Sequence, residues 1–301
     1  MQRRKFIRNA TLGLAALGLS PTQSLLANQL LGSAGTFKVI RNNVGYYTEK
    51  GGTIGWLLSP QASVVIDTQF PEQSENLLSG LKTRQNFEQL DLLINTHHHG
   101  DHTGGNPVFA GLFKQHVAHA NAKINQEISA RKDDKLADIL LPTETYTDTW
   151  AAQTGNEIVS LNYFGAGHTN GDSIIHFQNA NVAHLGDLLF NRRFPYIDPG
   201  AGGNFKGWQK VLKKIRKYYD KDTIFIFGHA AENYPVTGSV ADVEAMENYI
   251  KRLLQYVKKE KKKGTSLDQL VAKTTVIPKA EEWKYGERLR ERNLRVAWDE
   301  V

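Results

Sequence analysis

Short apolar runs, broken by glycine and polar turns, set the pattern of the first half of the chain. Phe37-Lys38-Val39-Ile40, Tyr46-Tyr47, Thr53 to Leu58 and Ser63 to Ile66 read as strands, and Asp67 closes the last of them. Pro71 to Lys82 reads as a helix with Leu77, Leu78 and Leu81 turned inward. Leu90-Asp91-Leu92-Leu93-Ile94 has the pattern of a buried strand, and short strands near Gln115–Ala118 and Thr143–Thr147 flank a helix over Asn121–Ala137. Glu157–Phe164, Ser173–Phe177, Asn181–Leu185 and Ile224–Phe227 complete the strands. The period changes over Lys206–Tyr219, where Trp208, Val211, Leu212, Ile215, Tyr218 and Tyr219 share one face of a helix. From Ser239 onward the chain reads as helical: Val240, Val243, Met246, Ile250, Leu253, Leu254 and Val257 form one stripe, followed by shorter helices over Leu267–Ala272 and Ala280–Leu294. Strands alternating with helices make this a mixed α/β chain, with no repeat of short fixed period.

Residues 1–27 have a different texture. Gln2-Arg3-Arg4-Lys5-Phe6-Ile7-Arg8 is basic, Ala10 to Leu19 is apolar but too short to anchor in a bilayer, and Leu25-Leu26-Ala27 offers a cleavage site. This is an export signal, and its Arg3-Arg4-x-Phe-Ile-Arg8 pattern resembles the twin-arginine type that engages the machinery exporting folded proteins. A periplasmic or otherwise exported protein follows, with no stable membrane span once the signal is removed. The four cations of this segment account for four of the six net positive charges of the 301-residue chain. What remains shows no basic stripe with interleaved aromatics, which excludes a nucleic-acid partner. Hydrophobic residues make up 40%, enough for a sizeable core. There is no cysteine, so any metal must be held by nitrogen and oxygen ligands.

Such ligands crowd into one stretch. Asn95-Thr96-His97-His98-His99-Gly100-Asp101-His102-Thr103-Gly104-Gly105 follows the Leu90–Ile94 strand and turns on its glycines. Alternate residues of an extended segment point the same way, so His97 and His99 can reach one point while His98 faces away. Asp101 and His102, past the bend, can reach a second point nearby. Imidazole and carboxylate suit zinc and similar divalent ions. Three further strands run into glycine plus a ligand residue, at Gly167-His168, Gly186-Asp187 and Gly228-His229. Strand ends at a common sheet edge converge in space although they are distant in sequence.

His97-x-His99-x-Asp101-His102, Gly167-His168-Thr169-x-Gly171, Gly186-Asp187 and Gly228-His229 together resemble the ordered motifs of the metallo-β-lactamase fold superfamily, over roughly Phe37 to Ala230. The resemblance implies a four-layer αββα sandwich with metals at one edge of two packed sheets. It divides the chain into a catalytic domain over 34–238 and a helical C-terminal segment over 239–301 packed on it. It assigns His97, His99 and His168 to a first metal, Asp101, His102 and His229 to a second, and Asp187 to a bridge between them. The metals are expected to be two Zn2+, with iron or manganese left open for this ligand set. The absence of cysteine rules out the thiolate second site of one large group of true β-lactamases. Asp187 is shared with hydroxyacylglutathione hydrolases and many lactonases.

A metal pair of this kind can lower the pKa of a bridging water from ~15.7 to ~7, giving hydroxide at neutral pH. The implied function is hydrolysis of an ester, thioester, lactone or amide in a small-molecule substrate, with Asp101 both ligand and orienter of the nucleophile. Asp67 and Asp172 are candidates to orient ligand histidines, and Asn170 to donate to an oxyanion. Arg192 or Arg193, in the segment after Asp187, can grip a carboxylate. Gly200 to Asn204 is expected to be mobile and to border the site. His98, His116, His119, His176 and His184 read as strand or surface histidines. The alternatives are a β-lactam hydrolase and a non-catalytic periplasmic metal-binding protein; one iron per chain would point instead to redox or sulfur-transfer chemistry.

Overall fold

Apolar strands without polar alternation need cover on both faces, and the fold supplies it. A computed structural model describes residues 35–301, so the export signal expected over 1–27 lies outside the described residues. One sheet has seven strands in sequential order: β1 (Thr36–Arg41), β2 (Val44–Thr48), β3 (Ile54–Ser59), β4 (Ala62–Ile66), β5 (Leu90–Ile94), β6 (Phe113–His119) and β7 (Glu144–Tyr146). Its first four strands form an antiparallel meander, and β4 to β7 run parallel. The second sheet is built from β8 (Thr149–Thr154), β9 (Glu157–Asn162), β10 (Ile174–Phe177), β11 (Val182–His184), β13 (Ile224–Ile226) and β15 (Thr237–Gly238). In it β11 and β13 are parallel. A two-strand ribbon pairs β12 (Phe190–Asn191) with β14 (His229–Ala230).

The period-2 alternation sorts side chains into layers. Leu57, Val64, Ile66, Leu92 and Ile94 of the first sheet meet Val159, Leu161, Ile175, Phe177 and Ile226 of the second in the central core. Their neighbours Trp56, Val65 and Leu93 face outward, where Leu77 and Leu81 of α1 (Pro71–Arg84) cover them. On the far side Ala183, Leu185, Phe225 and Phe227 pack against α4 (Phe205–Tyr218) and α5 (Val240–Lys262). The result is a four-layer αββα sandwich. Beyond α5, α6 (Leu267–Lys273) and α7 (Glu287–Glu300) pack on the same outer core through Leu270, Leu294 and Ala297, with Trp283 stacked on Tyr249 at 4.4 Å.

Several expected boundaries shift for local reasons. The helix expected over Ala280–Leu294 begins only at Glu287, because Gly286 sits at φ 90°, a conformation outside the helix. Tyr218 is 61% exposed instead of joining the buried stripe; α4 stops there, and the extended backbone at Tyr219 swings that ring inward. The helix expected over Asn121–Ala137 is α3 (Ala120–Lys132), closed before Asp134 at φ 54°. Strand β8 gave no apolar run to read, since it is half-exposed and polar along one face.

Candidate metal centre

Two parallel strand pairs, one per sheet, end side by side. In the first sheet Ile66 and Ile94 are in register, so Asp67 and the segment from Asn95 leave together, tied by Asp67 N–H to Ile94 O at 2.8 Å. In the second, His184 and Ile226 are in register, so Gly186-Asp187 and Gly228-His229 leave together, tied by Gly228 N–H to Gly186 O at 2.8 Å. Ser173 N–H to Thr96 O (2.7 Å) and Thr53 N–H to Gly228 O (2.9 Å) join the two edges. The C-terminal ends of parallel strands are where open α/β sheets present ligand sites. Glycine is required at two of these ends. Gly186 has φ 51°, and a Cβ on Gly228 would lie 2.1 Å from Asp187 Oδ1.

After β5 the chain bends through Thr96, His97 and His98, is extended again at His99, and then enters one helical turn, α2 (Gly100–Thr103), which swings Asp101 and His102 back over the strand end. Among the described residues three groups of potential donors result: His97, His99, His168 and Asp187 in the first, Asp101, His102 and His229 in the second, and a third, His98, His99 and Asp198, that shares His99 with the first. In the first, His99 Nδ1 lies 3.1 Å from His97 Nε2 and 2.9 Å from His168 Nε2, and Asp187 Oδ2 lies 3.5 Å from His168 Nε2. In the second, His229 Nε2 lies 3.2 Å from Asp101 Oδ2, and Asp187 Oδ1 lies 3.1 Å from His102 Nε2 and 3.4 Å from His229 Nε2. The two oxygens of Asp187 thus divide between these two groups.

The outward nitrogen of each ring fixes its tautomer. His168 Nδ1 faces the Tyr196 carbonyl at 2.7 Å, which can only accept, so Nδ1 carries the proton. His99 Nε2 donates to the Asp198 carboxylate at 3.0 Å. Thr96 Oγ1 uses its single hydrogen on Asp67 Oδ2 at 2.7 Å, so it accepts from His97 Nδ1 at 2.9 Å. His97 Nε2, His99 Nδ1 and His168 Nε2 therefore turn bare lone pairs toward one another. Burial pushes His97 well below the ordinary imidazole range and His168 down to about 3, which keeps both rings neutral. Three facing lone pairs with a carboxylate repel unless a cation lies among them. Donors bonded tetrahedrally to zinc at ~2.0 Å sit about 3.3 Å apart, close to the spacings here.

In the second group burial opposes charge on His102 and His229, but Asp187, with Asp101 beside it, outweighs it. His102 is driven well above the ordinary range and His229 to about 9. This end draws positive charge, which a proton and a divalent ion compete to supply. His102 Nε2 and Asp187 Oδ1 are buried without a hydrogen-bond partner, being close but misaligned. The donor set fits divalent metal ions.

Asp67 is fully buried and takes Thr96 N–H at 2.8 Å, the Thr96 hydroxyl, and His102 Nδ1 at 2.7 Å. One carboxylate thus orients a ring in each of the first two groups. Asp172 is buried and accepts from Thr169 N–H and the Thr169 hydroxyl, bracing the loop that carries His168; burial pushes its carboxyl up to about 7. Asn170 points elsewhere, its side-chain oxygen accepting from Asn125 at 2.8 Å. Arg192, at φ 58°, turns to Asn191 and Asp242, whereas Arg193 lines the cleft over the donors. His98, expected to face away, is instead buried beside His99, with its Nε2 3.6 Å from the same Asp198 carboxylate, because the chain bends at this point. The remaining histidines have structural partners: His116 meets Asn95, His119 the Thr147 carbonyl, His176 Asn181 and His184 the Thr53 carbonyl. Gly200 to Asn204, expected to be mobile, is instead tied down by Asp198 O to Gly203 N–H at 2.8 Å and Gly167 O to Asn204 N–H at 3.0 Å.

Asp198 escaped the sequence reading. It lies 99 residues from His99, and no spacing rule links them. Arg292 approaches its other oxygen at 3.9 Å. Asp198→Ala is expected to weaken metal binding by about 10- to 100-fold, since a carboxylate on the far ring nitrogen sets both orientation and basicity; competition against a chromophoric chelator reads the change.

The sequence profile described as the metallo-beta-lactamase superfamily matches residues 48–229. Metallo-beta-lactamase IND-1 of Chryseobacterium indologenes is 26% identical over 199 residues, covering 63% of this chain and 80% of that protein. The solved metallo-beta-lactamase IND-7 aligns at a TM-score of 0.58 and 23% identity, over 71% of this chain and 98% of that one. The sec-alkylsulfatase Pisa1 from Pseudomonas sp. aligns at 0.69 and 12% identity, over 89% of this chain and 50% of that one. At such identities the two structures are similar in fold alone.

Proposed function

The chain belongs to the metallo-β-lactamase superfamily, and from that premise we propose that it is an exported binuclear metal-dependent hydrolase acting on an ester, thioester, lactone or amide. The observation that carries the reading is the set of facing lone pairs and carboxylate oxygens at the floor of an open cleft, which His99, Asp101, Asp187 and His229 help to line. His97, His99 and His168 would hold one ion, Asp101, His102 and His229 the other, and Asp187 would serve both; zinc suits these ligands. Bound there, the ions would supply Lewis acidity and a water acidified to a pKa near ~7.

The protein's own groups do the rest. Asp101 is one-third exposed toward the cleft. Burial works against its charge, but His102 and His229 outweigh it and hold the carboxyl at about 2. It stays ionised, able to accept a hydrogen bond from the attacking water and so to orient it. Asp67, Asp198 and the Tyr196 carbonyl hold the imidazoles in the tautomers that bind metal. Export rests on the basic start and short apolar run of residues 1–27, and cell fractionation of the full chain tests it by asking whether the protein leaves the cytoplasm.

The reading is tested by assaying zinc-loaded protein on an activated aryl ester, a thioester, a lactone and nitrocefin. Turnover of the first three is expected, lost with a chelator and restored by zinc. Turnover confined to nitrocefin favours a β-lactam hydrolase. Full metal loading with no turnover of any substrate favours a metal-binding protein without catalysis.

A further inference from the structure

Besides the donor residues, the cleft of about 340 Å³ is walled by Phe190, Arg193, Tyr196 and Leu289. Three of these are apolar or aromatic, and the fourth is a cation. Phe190 is fixed by stacking on His229, with ring centroids 5.2 Å apart and planes 19° apart. Leu289 comes from α7, so the helical tail forms part of the cleft wall. The tail also holds the segment opposite it. Arg193 bridges to Tyr285 through the backbone, Asn293 donates to Pro195 O at 2.9 Å, and Arg292 donates to Ile197 O at 2.6 Å with its guanidinium 4.3 Å from the Tyr196 ring centroid.

The arginines around the cleft differ in one respect. Arg192 pairs with Asp242, and Arg292 is spent on Ile197, Asp198 and Tyr196. Arg193 is half-buried, and among the described residues its guanidinium has no ion-pair or hydrogen-bond partner. A partly desolvated charge without a partner is unfavourable, and the planar fork of arginine matches a carboxylate with two parallel hydrogen bonds. The volume is at the lower end for small-molecule sites.

We propose that the substrate is a small amphipathic carboxylate, its acid group held by Arg193 and its apolar body lying against Phe190, Tyr196 and Leu289, with the scissile bond over Asp101 and Asp187. This deepens the hydrolase reading and rests on it for the bond that is cleaved. The ester, thioester, lactone or amide bond is broken by water oriented by Asp101: its oxygen, with one hydrogen, joins the acyl carbon, and its other proton ends on the leaving group.

The test has two arms on zinc-loaded protein. The first compares kcat/KM for an aryl hemiester of adipic acid with that for the same ester whose far acid is methylated. A preference of about tenfold or more for the free acid is expected, collapsing by about 10- to 100-fold in Arg193→Ala and returning in part in Arg193→Lys, as for loss of a charge-assisted pair. Leu289→Asp should reduce turnover of longer-chain hemiesters more than shorter ones. The second arm needs no turnover. Calorimetry of 4-phenylbutyrate should show binding that weakens in Arg193→Ala by a similar factor. Equal kcat/KM for acid and methyl ester, or 4-phenylbutyrate binding unaffected by Arg193→Ala, overturns the proposal. Arginine-dependent binding with no cleavage of either ester keeps the subsite and sinks the hydrolase reading instead.

Discussion

Asp187→Ala is expected to lower bound metal from two ions per chain to one or none and hydrolysis by about three orders of magnitude or more. The size follows from its position. Its two oxygens reach opposite ways, Oδ2 toward His168 at 3.5 Å and Oδ1 toward His102 at 3.1 Å and His229 at 3.4 Å. Among the described residues, no other side chain sets an oxygen toward each of these two donor groups. Its carboxyl is held far below the ordinary range: burial pushes the other way, but His229 and His102 outweigh it. Removing it withdraws the negative charge that makes the second group attractive to a cation. Metal-assisted stabilisation is worth several kcal/mol, and each ~1.4 kcal/mol is a factor of ten in rate. His229→Ala, which touches one group only, should retain one ion. Elemental analysis of dialysed protein alongside aryl-ester turnover reads both variants. Two ions retained in Asp187→Ala would contradict the bridging assignment.

Asp67→Asn is expected to damage both donor groups from a position outside the cleft, and to destabilise the fold. Asparagine accepts the left-handed backbone that Asp67 adopts at φ 64°, so the substitution isolates the carboxylate. In place of Oδ2 it sets an amide nitrogen against the Thr96 hydroxyl and His102 Nδ1, both of which donate there. Denied its acceptor, the Thr96 hydroxyl turns its hydrogen toward His97 Nδ1, and the ring proton moves to Nε2, which faces the donor group. His102 loses the partner that holds its own tautomer. Metal affinity should fall about 10- to 100-fold at each group. The His102 Nδ1 donor, buried and left without an acceptor, costs about 1–3 kcal/mol against a typical total of roughly 5–15. Thermal melting of the metal-free protein should fall by roughly 5 °C. An unchanged melting temperature and unchanged metal titration would show that Asp67 does not have this role.

The layers and the donor set were legible in the chain to different depths. Strands covered on both faces leave unbroken apolar runs, which is why Leu90–Ile94 and Ile224–Phe227 stood out, whereas the half-exposed β8 did not. Periodicity supported only a mixed α/β chain; the four-layer arrangement came from the resemblance of the ordered motifs. Glycine followed by a ligand residue after a strand was readable because close packing at Gly228 and the backbone of Gly186 demand it. Asp67 was readable as a strand end beside the donors. Asp198 was not, since only the tertiary fold brings it to His99. Nor could sequence choose between Arg192 and Arg193: the positive φ of Arg192 sends one to Asp242 and leaves the other in the cleft. The start of α7 was misjudged because Ala280 and Trp283 are spaced as a helix face would be, although both are buried before the turn at Gly286.

The measurement that bears most directly on the account is a crystal structure of zinc-loaded protein with anomalous data at the zinc edge. Two peaks are expected, one within ~2.0–2.2 Å of His97 Nε2, His99 Nδ1 and His168 Nε2, the other at the same distance from His102 Nε2, His229 Nε2 and an oxygen of Asp101, with Asp187 reaching toward both. A single peak, or zinc bound away from these side chains, would contradict it.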